Sequence, residues 1–256
     1  AAGAMFEVRD LHVRRGDKTI IDGCSFAVHS SGVLVILGAN GVGKTTLLNT
    51  MIGVLKPSRG HMEIGGKIGF VPQLFEVAFS YSVMDIALMG RVRHIGLFGS
   101  PGTRDFAVVR RFLALLGIED LENRVFNELS GGQRQMVMIA QALSSECDIL
   151  ILDEPCAALD YRNQKVVIDV LRSLSRDHGI TIVFTTHVPQ HAVEIASHVL
   201  LMNSAVSYLS GTAETVLSES NLSALYKVPI GRAQFAGSDK FTYAPLFHHG
   251  EVRHEP

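Results

Sequence analysis

The chain has 256 residues, of which 47% are hydrophobic and 19% charged, with a formal net charge of −2. A chain of that length suits one large domain, or one domain with a lobe, and buries roughly 70–75% of its unfolded surface without a metal or disulfide staple. The near-neutral balance argues against a dedicated nucleic-acid binder, which carries a basic stripe.

Residues 6–13 (FEVRDLHV) and 19–29 (TIIDGCSFAVH) mix polar and β-favouring apolar residues, the pattern of half-buried antiparallel strands. VLVIL at 33–37 is apolar at every position and reads as a central strand covered on both faces. GANGVGKTT comes next, and then Leu47, Met51 and Leu55 keep helical spacing up to a stop at Pro57 and Gly60. HMEI and KIGFV, joined by Gly65 and Gly66, predict a short hairpin. From about Val77 to Ser145 the texture is helical, with SVMDIALMG and FAVVRRFLALLGI on either side of a loop, GLFGSPGT. DILIL at 148–152 and ITIVFTTH are further buried strands. Between them runs an amphipathic helix, YRNQKVVIDVLRSLSRDHG, capped by Gly179. Alternating buried strands and helices imply an open parallel sheet. The tail from about Pro229 has weak periodicity.

The three cysteines, Cys24, Cys147 and Cys156, have neither framework nor C-x-x-C spacing, so neither a disulfide scaffold nor a zinc knuckle is expected. No stretch reaches the ~18–20 apolar residues of a membrane span. His248, His249 and His254 cluster in the tail; a solvated tail explains them better than a metal site.

Three sequence positions carry chemistry. The run from Gly38 through Gly43, Lys44 and Thr45 fits G-x-x-x-x-G-K-[ST] between a buried strand and a helix. Glycines let successive backbone N–H groups converge on phosphates, and the helix N-terminus adds unpaired donors. Lys44 can reach β- and γ-phosphates, and the Thr45 hydroxyl is a hard ligand for Mg²⁺. A flexible turn would also use glycines, but it does not explain Lys44 and Thr45. Next, DILILDEP ends a buried strand in Asp153, which delivers a carboxylate to the same sheet edge to hold Mg²⁺. Glu154 beside it suits the polarising of an attacking water, although acidic pairs at strand ends are common. Third, LSGGQRQ opens a helix with an apolar face of Met136, Ile139, Ala140 and Leu143. Ser130 is either an ordinary N-cap or, with the exposed N–H groups of Gly131 and Gly132, part of a second anion site.

Together these pieces resemble the ATP-binding cassette family. The P-loop, Gln73 after a strand (FVPQ), LSGGQ, the DEP strand end, Leu159–Asp160 and a strand-ending His187 (TTH) occur in the family's order, over about residues 6 to 227. The resemblance implies an α/β P-loop NTPase with a mostly parallel central sheet, an N-terminal antiparallel β subdomain and an inserted α-helical subdomain. It implies one domain over 1–256: residues 5–76 and 147–227 as the nucleotide-binding core, 77–146 as the helical subdomain with the signature motif, and 228–256 as a tail.

By the same resemblance the chain is an ATPase using ATP and Mg²⁺. Gly38, Asn40, Gly41, Gly43, Lys44, Thr45 and Thr46 would bind nucleotide, and Thr45, Gln73 and Asp153 would hold the metal. Glu154, His187, Lys44 and Gln73 would carry catalysis. Two copies would pack head to tail as a homodimer, with Ser130, Gly131, Gly132, Gln133 and Asp160 facing the partner's nucleotide. The family usually stacks an aromatic residue on adenine. HVRRGDKT has none, and Arg15 is the nearest match. Cys156 stands where threonine is common.

FVPQLFEVAFSYSVMDIALMGRVRH is similar to the metal-chelate importers of iron–siderophore, haem, cobalamin or molybdate. That class implies integral-membrane permease subunits and, through them, a substrate-binding protein, with this chain peripheral on the cytoplasmic face of the inner membrane. Two alternatives are a cassette acting on DNA or ribosomes and an export cassette. The first usually carries basic insertions and the second a fused membrane domain.

Overall fold

The computed structural model describes residues 4–73, 79–95 and 99–247. The three tail histidines, residues 74–78 after Gln73 and residues 96–98 of the predicted loop lie outside the described residues.

Strands β1 (Ala4–Arg15) and β2 (Lys18–His29) pair antiparallel. Strand β3 (Val33–Gly38) is buried at all six positions and runs into α1 (Lys44–Met51). Next come β4 (Arg59–Ile64) and β5 (Ile68–Val71). The helical lobe holds α2 (Val83–Leu88), a 3-10 turn at Met89–Arg91, α3 (Val92–Ile95), α4 (Thr103–Leu115) and α5 (Gly131–Ser144). The chain returns through β6 (Ile149–Leu152), α6 (Tyr161–His178), β7 (Thr181–Thr186) and α7 (Pro189–Ile195). It closes with β8 (His198–Ser204), β9 (Ser207–Thr212), α8 (Ala213–Val216), α9 (Glu219–Tyr226), β10 (Ile230–Gln234) and β11 (Phe241–Pro245).

The main sheet has the order β5-β6-β7-β3-β8-β9 and is parallel except for β9. This is the predicted α/β architecture, with β2-β1-β4 as the separate antiparallel sheet. The fully apolar strands are explained by what covers each face. Side chains alternate across a strand. Val33, Val35, Leu37, Leu150, Leu152, Ile182 and Phe184 face the core shared with α5, α6 and the lobe. Leu34, Ile36, Ile149, Ile151 and Val183 face the core shared with α1 and the antiparallel sheet.

Two expectations are corrected. HMEI and KIGFV form no hairpin: β4 pairs with β1, whereas β5 pairs parallel with β6. Gly65 and Gly66 carry the chain from one sheet to the other. A Cβ on Gly66 would sit 2.7 Å from Asp148 Cβ, and the Asp148 carboxylate accepts the Lys67 N–H at 2.8 Å. The glycines serve close approach rather than a tight turn. Helix α1 also stops early. Gly53 takes φ 80, and Val54 and Leu55 donate back to the Asn49 carbonyl, so Leu55 lies beyond the helix and Pro57 and Gly60 do not end it. In the tail, β10 and β11 form an antiparallel hairpin despite the weak periodicity, with the Arg232 guanidinium 3.9 Å from the Phe241 ring centre.

A buried cation ties the lobe's own segments together. Arg91 is 2% exposed and donates to Asp105 Oδ1 at 2.9 Å, Glu146 Oε2 at 2.9 Å and the Ser144 carbonyl at 2.8 Å. These acceptors lie at the start of α4 and at and just past the end of α5, so one guanidinium joins three segments. The backbone N–H of Gly102 and then Arg91 hold the Asp105 carboxyl below its ordinary value. Arg91→Leu strands two carboxylates. Chemical unfolding is expected to show a loss of about 3 kcal/mol. Thermal unfolding should fall by roughly 6–12 °C.

Candidate active site

The parallel register brings four strand ends to one edge. Val71 pairs with Leu152, Leu152 with Phe184, and Leu37 with Thr186. Gln73, Asp153–Glu154, His187 and the loop 38–43 come directly after these strands, so they meet at the C-terminal side of the sheet.

The loop wraps Lys44. Its side chain is 5% exposed, and Nζ donates to the carbonyls of Gly38 at 2.8 Å and Ala39 at 3.2 Å. Glu154 Oε1 lies 3.2 Å from the same nitrogen. Gly43 sits at the helix N-cap with φ 114, and a Cβ there would lie 3.1 Å from Ile20. With no side chain capping α1, the N–H groups of its first turn open towards the cleft.

Thr45 Oγ1 donates to Asp153 Oδ2 at 2.8 Å, and Thr185 Oγ1 donates to Asp153 Oδ1 at 2.7 Å. Both carboxylate oxygens are thus held by hydroxyls from different elements. Thr185 Oγ1 also accepts the Glu154 N–H at 2.8 Å. That bond supports a residue whose backbone has φ 45, an uncommon conformation for a non-glycine. His187 Nδ1 is 3.5 Å from Glu154 Oε2.

A cleft of about 510 Å³ opens here, and Asn40, Gly41, Gly43, Lys44, Thr45, Thr46, Gln73, Asp153 and Glu154 line it. Arg15 and Ile20 line it as well, with Ile20 close against Gly43. Gly38 reaches the site through its carbonyl rather than by lining the cleft. Ser130, Gly131, Gly132, Gln133 and Asp160 are not among the lining residues. Ser130 and Gln133 form a reciprocal cap on α5: the Gln133 N–H donates to Ser130 Oγ at 3.3 Å and Ser130 N–H to Gln133 Oε1 at 3.0 Å. Asp160 caps α6 through the Asn163 N–H at 2.8 Å. Cys156 is a buried free thiol, and burial pushes its pKa up to about 12.

Sequence reasoning missed Thr185 and His191. Thr185 carried a signal in TTH, where a polar hydroxyl precedes the end of a fully buried strand. His191, 6% exposed, bonds Thr186 Oγ1 and Gln164 Oε1. Its partner Gln164 lies on α6, 27 residues away, so sequence spacing did not mark it.

A phosphate-wrapping loop, a buried lysine and a hydroxyl–carboxylate pair at one parallel-sheet edge define a P-loop nucleotide-binding ATPase. The family model described as "ABC transporter" matches residues 21–157. The molybdate import ATP-binding protein MolC of Haemophilus influenzae is 41% identical over 225 residues, covering 87% of this chain and 88% of that protein. A probable iron chelatin transport ATP-binding protein of Helicobacter pylori is 32% identical over 240 residues, covering 88% and 94%. Among solved structures, a metal-chelate type ABC transporter in an inward-facing conformation aligns with TM-score 0.91 at 38% identity, over 96% of this chain and 98% of that one. The chain belongs to the ATP-binding cassette transporter family as an ATPase. Among the described residues no helix is long and apolar enough to cross a membrane.

Thr185→Val removes the hydroxyl shared by Asp153 and Glu154. Steady-state assays are expected to show turnover falling at least about tenfold, since both the Asp153 carboxylate and the Glu154 backbone lose the group that orients them. A second prediction concerns acid. Burial first, and then the charge on His187, lower the His191 pKa to about 4 from the ordinary 6.5. The unfolded ring therefore takes up a proton that the folded one refuses. The associated stability is complete above pH 6.5 and is lost as pH falls towards 4. Urea unfolding at the two pH values should show wild type losing about 3 kcal/mol more than His191→Gln.

Proposed function

We propose that the chain is the ATP-hydrolysing subunit of an importer, acting as a homodimer docked on integral-membrane permease subunits at the cytoplasmic face of the inner membrane. A substrate-binding protein delivers cargo on the other side, and the cargo is a metal chelate or a related oxyanion such as molybdate. The names of the relatives support the import class: molybdate for one, iron chelatin for another, and a metal-chelate transporter for the aligned structure.

The observation that carries the dimer reading is a separation. The cleft gathers Lys44, Thr45, Asp153 and Glu154, while Ser130 to Gln133 and Asp160 lie outside it in the same chain. In a head-to-tail pair, the start of α5 from one copy would close the cleft of the other over the nucleotide's γ-phosphate. Asp160 would cross the same interface. Charge-assisted contacts from both copies to one phosphate would hold the pair together. Cleavage would remove that bridge.

Within the cleft, the N–H groups around Asn40, Gly41, Gly43 and Thr46 suit the phosphate chain, and Lys44 suits its β- and γ-oxygens. The residues also fit Mg²⁺. Thr45 and Asp153 already bring hard oxygens within 2.8 Å of one another, and Gln73 lines the same space. Bound there, the ion would neutralise charge on the phosphate oxygens. Glu154 serves as general base for water, held by the Thr185 bond to its N–H. His187 stands within reach of the Glu154 carboxylate to share in placing that water. Gln73 additionally reports to the permease side.

Glu154→Gln tests the reading directly. Turnover should fall at least about a hundredfold while ATP binding persists. Light scattering with ATP should show a long-lived dimer. Near-normal turnover would remove Glu154 from the role of base, and a species that stays monomeric with ATP and permease present would remove the shared site.

A further inference from the structure

A buried ring packs behind the strand that runs into His187. His191 lies on α7, four residues past His187, with Nδ1 2.9 Å from Thr186 Oγ1 and Nε2 3.1 Å from Gln164 Oε1. The Gln164 side-chain nitrogen donates to the Leu159 carbonyl at 2.8 Å, which leaves its oxygen facing the ring. An amide oxygen only accepts. Nε2 therefore carries the hydrogen, and the ring, whose pKa is depressed to about 4, is neutral. Nδ1 must then accept, so the Thr186 hydroxyl donates to it. The same hydroxyl oxygen accepts the Val188 N–H at 3.1 Å. All four bonds agree on one direction, from Val188 through Thr186, His191 and Gln164 to Leu159.

The two ends of this path matter. At one end, Val188 comes after His187, whose own carbonyl accepts the Tyr226 hydroxyl at 2.8 Å. At the other end, Leu159 adjoins Asp160 and packs against Gly131, where an added Cβ would lie 3.2 Å from Leu159 Cδ2. The path thus crosses from the histidine beside Glu154 to the turn beside the signature motif, through buried or part-buried groups of α6 and α7.

We propose that His191 is a positioning residue: as the Nε2–H tautomer it ties the His187 loop to the Leu159–Asp160 turn, so that these two parts of the site move together. Its consequence for turnover rests on the proposed roles of Glu154, His187 and Asp160. A partner copy that presses on Asp160 would be felt at His187 without any shift of the P-loop.

The test measures Mg²⁺-ATP hydrolysis by the full chain in complex with its permease, with thermal unfolding in parallel. His191→Ala is expected to lower kcat about tenfold while KM stays within about twofold, the scale of an ordinary coupling between sites. Gln164→Leu should do the same, and the double variant should be no slower than either single variant. His191→Gln should recover most of the rate, since its amide offers one acceptor and one donor. Normal kcat in folded His191→Ala would overturn the proposal. So would effects of the two single variants that multiply in the double variant, or a loss expressed in KM alone. If His191→Ala does not fold, Gln164→Leu and His191→Gln decide the question. Glu154→Gln run alongside separates the cases: normal turnover there sinks the reading of the site itself, whatever His191 does.

Discussion

Two hydroxyls holding one carboxylate is the contact on which the rest of the site depends. Asp153 can accept from Thr45 and Thr185 at once only because β6 lies between β5 and β7, with β3 and its helix one strand further on. Shift the β6–β7 register by one residue and Thr185 would turn to the opposite face of the sheet. The carboxylate would then keep one partner, and the Glu154 N–H would lose its acceptor. A buried acid with both oxygens bonded has little freedom to reorient, so Asp153 is placed before any ligand arrives. The strained backbone at Glu154 depends on the same contact, since a φ of 45 persists only where neighbours over-determine it.

The sheet is rigid because both faces are covered, and that covering also assigns the parts. One face packs on the antiparallel sheet and α1, which carry the P-loop, Arg15 and Ile20; the other packs on α5, α6 and the lobe, which carry the signature motif. The Arg91 ion pairs hold the lobe's helices to one another, and the lobe meets the core through apolar residues such as Leu129, Met136 and Ile139. This sorting of the cleft to one side and the motif to the other is the separation from which the two-copy site is proposed.

How much could be read from the sequence depends on how local the cause is. GANGVGKTT, DILILDEP and LSGGQ are legible because each sits in a strand–turn or turn–helix whose physics is set within about ten residues. Ser130 caps α5 and Gly179 ends α6 in αL for that reason. Gly65–Gly66 misled because two glycines between β-like runs suit a hairpin and a sheet crossing equally, and the deciding partners are Asp148 and β6, about eighty residues away. The hydroxyl of Thr185 at the end of a buried strand was a signal, but its use was hidden for the same reason: its acceptor, Asp153, is 32 residues off, and a threonine in a strand looks like an ordinary β-former. The β10–β11 hairpin hid because Ile230 alone is buried while β11 is half-buried along most of its length, so neither strand shows an alternating face.

The signature helix supplies the last step. The reciprocal cap of Ser130 and Gln133 satisfies one N–H at each end of the box and fixes both side chains against α5. It does not use the serine's own proton, and Gly131 and Gly132 head the helix with no side chain to cover their N–H groups. A Cβ on Gly132 would meet Asn163 Oδ1 at 2.3 Å, so the Asn163 side chain would have to move to admit one. This end therefore presents donors and positive dipole outward, with nothing acidic in the first turn. A surface of that kind favours an anion, and the P-loop cleft of a second copy, with its nucleotide bound, would present one. On that reading the packing of α5 against α6 keeps the donors bare, and the same packing sets Leu159 against Gly131, where the path from His191 ends.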